Sequence, residues 1–141
     1  MEIKENHFAR RGILKITKIE TGEVLFEDSN LIVESSGQIL SRLLSEGIGV
    51  INKIKVGTSD VGPTDQTRDA LVGHLADFNT NNSYALNTAT FDAVINTESL
   101  NGETIQEAGL FNDNIMFSRE VHTPISKTNA FSLLYEWIIV F

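Results

Sequence analysis

Cysteine is absent from this chain. That excludes a disulfide scaffold, a cysteine nucleophile, a thiolate metal site and an iron–sulfur cluster. Basic side chains are scarce: 11 Lys and Arg stand against 19 Asp and Glu, for a formal charge of −8. Phosphate contacts need clustered cations, so no broad nucleic-acid face is expected. Long apolar runs are also missing. The longest, residues 137–141, falls far below the roughly 20 residues that span a bilayer. The first residues carry acids and lack the apolar stretch of a secretory signal. The expectation is a soluble chain, made in a cytoplasm, with no membrane and no nucleic acid among its partners.

Catalytic signatures are missing as well. His7, His74 and His122 are scattered, with no HExxH or HxH spacing and no carboxylate at a metal-ligand spacing. No GxSxG marks a nucleophile elbow, and neither GxxxxGK[ST] nor GxGxxG marks a nucleotide site. The run Gly57-Thr58-Ser59-Asp60-Val61-Gly62 resembles a phosphate loop only in part, because no lysine follows it. Asp60 and Asp65 do not complete a calcium-loop pattern. Glu103 and Glu107 fall in an expected strand, where side chains four positions apart are separated by more than about 10 Å. The chain therefore reads as a non-enzyme without a metal or cofactor.

What is present is a globular composition, 141 residues with 41% apolar and 21% charged side chains. That suits a single domain. Charge is unevenly spread. Residues 1–18 hold five basic and two acidic side chains, a net of +3, whereas the remainder carries −11. Residues 1–11 lack periodicity and read as an extended arm, with Arg10 and Arg11 placed to dock on an acidic neighbour. Residues 12–141 form the domain.

Period-two alternation dominates the rest. Strands are expected at 12–19, from Val24, at 52–57, 74–78, 88–95, 104–111 and from Ile115, with residues 131–141 as the longest. Thr21 and Gly22, Asn101 and Gly102, and Asn112-Asp113-Asn114 supply turns. Residues 28–30 and 79–83 read as polar loops, and Pro124 as a break. One helix is expected after Ser35 or Ser36, with Ile39, Leu40, Leu43 and Leu44 on one face and Gly47 as its left-handed cap. The sum is a mainly β, sandwich-like domain with one helix packed on the sheet. The loop-rich stretch 57–72 is long for such a domain and marks a functional or partner-binding segment.

The order of motifs adds to this. Asn30-Leu31-Ile32-Val33 precedes the helix. Ile54-Lys55-Val56-Gly57-Thr58 follows, then Gly62-Pro63-Thr64 and Asp69-Ala70-Leu71. Next come Thr104-Ile105-Gln106-Glu107-Ala108-Gly109-Leu110-Phe111-Asn112, Phe117-Ser118-Arg119 and Pro124-Ile125-Ser126-Lys127, and the chain closes on Trp137-Ile138-Ile139-Val140-Phe141. In this order the chain resembles small virion proteins of tailed bacteriophages and the particle-proximal domain of phage tail-collar fibre proteins.

The resemblance implies a non-enzymatic virion component, a tail, collar, baseplate or fibre adaptor, that docks to other virion proteins. It also implies a homo-oligomer, a trimer among the options. The shaft and receptor-binding tip of the fibre proteins have no counterpart here. Capsid decoration is the alternative placement. Expected interface residues are Arg10, Arg11, Gly57, Thr58, Asp60, Pro63 and Arg119, with Arg119 pairing either with Glu107 or with a neighbouring subunit. A reading of another class, a carbohydrate-binding module, takes Tyr135 and Trp137 as a sugar platform and residues 79–83 as its polar loop. A small hydrolase built on His74 or His122 is a third.

Overall fold

Alternating Ile, Leu, Val and aromatic side chains commit most of the chain to strands, because a pleated backbone sends successive residues to opposite faces. The computed structural model describes residues 11–62 and 67–141. Strand β1 (Arg11–Lys18) turns at Gly22 (φ 73°) into β2 (Glu23–Ile32). Helix α1 (Ser36–Glu46) follows, then β3 (Lys53–Gly57), β4 (His74–Asn79), β5 (Asn81–Ala85) and β6 (Thr88–Ile95). β7 (Thr104–Asn112), β8 (Ile115–Ser126) and β9 (Leu133–Val140) complete the fold.

The hydrogen-bonded order is β4-β3-β7-β8-β2-β1-β9-β6-β5, antiparallel at every pairing. Strand β2 belongs to two sheets: its first part pairs with β1, while Leu31 and Ile32 pair with β8. At the other margin only Thr80 separates β4 from β5. There the Thr80 N–H donates to the Asn52 carbonyl at 3.0 Å, and the Asn82 amide donates to the Ile51 carbonyl at 2.7 Å. The sheets are thus joined at both margins and share one core. Ile54, Val56 and Leu110 of one sheet pack with Leu14, Tyr135 and Trp137 of the other.

α1 ends at Gly47 (φ 69°, ψ 21°), whose N–H returns to the Leu43 carbonyl at 3.1 Å, as its left-handed cap requires. Ser35 stands at the N-cap but its side chain does not cap; the hydroxyl donates instead to the Met116 carbonyl of β8. Ile39 is buried in the core, whereas Leu44 is 89% exposed.

Several expectations need correction. Residues 28–30 are not a loop, because β1 pairs with them and keeps them in β2. Residues 81–85 form the edge strand β5, where pairing with β6 overrides a polar composition that reads as loop. Pro124 does not break β8. It sits in a register shift, with Ile105 opposite Ile125 but Glu107 opposite Val121, where its missing N–H costs no ladder bond. β8, with 12 residues, is therefore the longest strand, and β9 has 8. Arg11, grouped by sequence with the arm, opens β1 opposite Val140. The arm expectation for residues 1–10 lies outside the described residues, as do residues 63–66 of the loop-rich stretch.

Candidate functional site

Between β3 and β4 the described residues 58–62 and 67–73 lie outside the sheet, and Val72 and Gly73 meet β7. Their anchor is a carboxylate. Glu107 stands directly opposite Gly57 in the β3–β7 pair. Two positions along β7 is Gly109, which stands opposite Arg119 of β8. The Glu107 and Arg119 side chains therefore meet diagonally across the ladder. Arg119 Nη2 and Nε lie 2.8 and 3.0 Å from Glu107 Oε2. Both side chains are buried, with exposures of 1% and 0%. Buried ions need their remaining valences filled, and here the loop fills them. The Val72 N–H donates to Glu107 Oε2 at 3.1 Å and the Gly73 N–H to Oε1. Arg119 Nη1 donates to the Val61 carbonyl at 2.9 Å. The loop is thus strapped near both ends to one internal ion pair.

Two further contacts seat it. The Thr58 N–H donates to the Gly73 carbonyl at 2.9 Å, closing the loop base. Leu71 packs on the small cluster of Val33, Phe111 and Met116. Glycine is required at Gly57, since a Cβ there would overlap the Glu107 carboxylate and the Gly73 carbonyl. Gly109 likewise leaves room for Leu71 and Phe111.

Beside the loop lies a recess of about 370 Å³ of mixed lining, with Ala70, Leu71 and Phe111 beside Lys55, Asp69, His74, Asp77 and Asn114. Lys55 Nζ donates to Asn114 Oδ1 at 3.1 Å, lies 3.8 Å from Asp77 and sits 4.6 Å above the Phe111 ring. His74 bonds to Asp77. Lys55, Asn114, Asp77 and His74 thus pair with one another along the wall next to the loop.

Farther along β8 the interior holds two more titratable groups. His122 Nδ1 lies 2.8 Å from the Thr123 carbonyl, so that nitrogen donates and Nε2 accepts from the Tyr135 hydroxyl at 3.2 Å. This neutral tautomer suits a ring 3% exposed, and burial lowers its pKa to about 4. Glu120, 6% exposed, is pushed up to about 7, chiefly by burial and then by nearby Asp28. Burial also raises the Tyr135 hydroxyl.

The expected interface residues divide accordingly. Thr58 and Asp60 are exposed on the loop, and Arg11 is exposed at the start of β1. Gly57 is buried and acts through the close approach it permits. Of the two partners the sequence offers Arg119, it takes Glu107 within the chain, and its guanidinium also donates to the Val61 carbonyl. Arg10 and Pro63 lie outside the described residues. Tyr135 and Trp137, weighed as a sugar platform, are both fully buried core residues. The buried His122–Tyr135 pair and the strained turn at Leu86 (φ 53°) escaped the sequence reading. The alternation of β8 around His122 was the one available signal.

Among the described residues no group of three or more His, Asp and Glu gathers to hold a metal ion, and no helix is long and apolar enough to cross a membrane. No protein-family model, curated protein or solved structure matches the chain.

Proposed function

We propose that this chain is a non-enzymatic structural component of a tailed-phage particle, a tail, collar, baseplate or fibre adaptor, that docks to other virion proteins through the strapped loop. One observation supports this reading: the separate motifs that carry the family resemblance meet at a single device. Gly57 and Thr58 begin the loop, Leu71 seats it, Glu107 and Arg119 strap it, and Asn30 accepts a hydrogen bond from Ser118 at 2.8 Å beside them. A loop held by internal charges is preorganised, so docking loses little further conformational entropy.

The test is mass spectrometry of purified particles together with a binding assay on the chain's partners. Presence at far fewer copies than the major capsid protein supports an adaptor, whereas near-equal copy number selects capsid decoration. Absence from particles overturns both. Replacing Asp60 and Thr58 by bulky residues is expected to weaken docking and leave folding intact.

A further inference from the structure

The β5–β6 connection is a two-residue turn, Leu86 and Asn87, between the paired residues Ala85 and Thr88. Leu86 takes φ 53° and is 100% exposed. Positive φ in such a turn normally calls for glycine or asparagine. A leucine here carries about 1 kcal/mol of backbone strain and leaves a large apolar side chain in water. Among the described residues nothing offsets either.

Its neighbours share this exposure. Two hydrogen bonds of 2.9 and 2.8 Å join Asn87 to Phe141, which places the turn against the C-terminal residue. Phe141 is 55% exposed and stands at the mouth of an apolar cleft of about 120 Å³ between α1 and the sheet, whose walls include Leu43, Val50, Phe91 and Ile139. Tyr84, 87% exposed, is the cross-strand partner of Ala89, itself the partner of Ile139, so its ring continues that row. Leu44 and Ile48 are exposed as well, next in sequence to Leu43 and Gly49 of the cleft wall. Together with Leu43 and Val50 these side chains expose on the order of 800 Å², what one partner contributes to an interface of standard size.

Away from the helix, where Arg42 and Glu46 flank Leu43 and Leu44, this region carries no charge. Residues 47–51 and 83–87 contain no Asp, Glu, Lys or Arg, in a chain of net charge −8. The adjoining edge strand β5 is exposed along its whole length and has no charge, proline or register shift, the devices that usually guard a sheet edge. Two copies of an acidic chain repel wherever acids face acids. An uncharged apolar patch is self-complementary and escapes that repulsion.

We propose that this uncharged apolar end, centred on Leu86, binds the same end of a second copy of the chain, with the two β5 edges side by side. The inference does not depend on the particle to which the protein belongs. It is tested by sedimentation of the full chain at concentrations of about 1–100 µM. The wild type is expected to associate. Leu86→Asp and Leu44→Glu are each expected to weaken association at least tenfold while circular dichroism stays unchanged. Val94→Asp, at a comparably exposed apolar residue (47%) one step out of phase with Ala93 and Ile95 on β6, is expected to leave association intact. A wild type that stays monomeric throughout, or folded Leu86→Asp and Leu44→Glu proteins that associate as the wild type does, overturns the proposal.

Discussion

Two surfaces lie before and after β3, and they are built by opposite rules. Residues 58–62 and 67–73 follow the strand, and beneath them charge is hidden: Glu107 and Arg119 are buried, and their hydrogen bonds run to the backbone of Val61 and Val72. Residues 49–51 lead into the strand, and their neighbourhood exposes apolar groups, with Leu86 fully in water and Leu44 nearly so. The first surface uses the interior to fix a shape and exposes Thr58 and Asp60 together with Val61 and Val72. The second has no internal reason for its composition. The loop side should therefore be sensitive to substitution in folding, and the apolar side tolerant in folding but sensitive in association.

The largest effect is expected at Arg119→Ala. It strands the Glu107 carboxylate in the interior, which costs about 3–5 kcal/mol. Chemical denaturation measures this, and the loop should become susceptible to proteolysis before the sheet does. The double change Glu107→Met with Arg119→Met removes both charges and should cost clearly less than Arg119→Ala alone. Equal losses would mean that the pair contributes shape only, and the contrast between the two surfaces would lose its electrostatic half.

The second effect depends on pH. His122 has its pKa lowered to about 4 by burial, so its contribution is complete above the unfolded value near 6.5 and is lost as pH falls toward 4. Glu120 is raised to about 7, so its contribution is complete below about 4.5 and is lost as pH rises toward 7. The two oppose one another between about pH 4.5 and 6.5. The wild type should therefore be nearly flat there in these two contributions. His122→Phe should make stability fall with rising pH, and Glu120→Gln should make it rise. Denaturation midpoints at several pH values decide this. Identical slopes in both variants would remove the buried titration from this side of the molecule. Association at the apolar end, which has no such group, should not follow either slope.

Next in size is Gly57→Ala. The new methyl meets the Glu107 carboxylate and the Gly73 carbonyl, and backbone yields poorly. A loss of about 1–3 kcal/mol is expected, read as a lower melting temperature with association unchanged.

Much of the fold was legible because the period-two pattern carries it. The β1–β2 turn, the helix with its Gly47 cap, the half-buried β3 and the buried row of β9 all follow from local composition and alternation. What failed was tertiary. Residues 28–30 and 81–85 are strands because of what lies beside them. Pro124 is tolerated because its partner strand is out of register there. Of the loop site, its position and the Glu107–Arg119 option were readable. That Arg119 is buried was not, since no local pattern reports how deep a charge lies. Leu86 was unreadable for the same kind of reason: a leucine with positive φ carries no sequence mark, where glycine or asparagine would have.

That leucine supplies the smallest effect and the one that separates the two surfaces most sharply. Leu86→Gly relieves the positive-φ strain but adds entropy to the unfolded chain, and at a turn that requires φ near 53° the first term wins. Monomer stability is expected to rise by about 0.5–1 kcal/mol, measured by denaturation at low protein concentration where association does not contribute. Association is expected to weaken in the same variant, because the side chain at the centre of the patch is gone. Opposite signs from one substitution indicate a residue retained at a cost to its own domain for the sake of a contact. If Leu86→Gly instead destabilises the monomer, the leucine is packing within its own chain. The apolar end then obeys the same rule as the strapped loop, and the contrast between the two surfaces disappears.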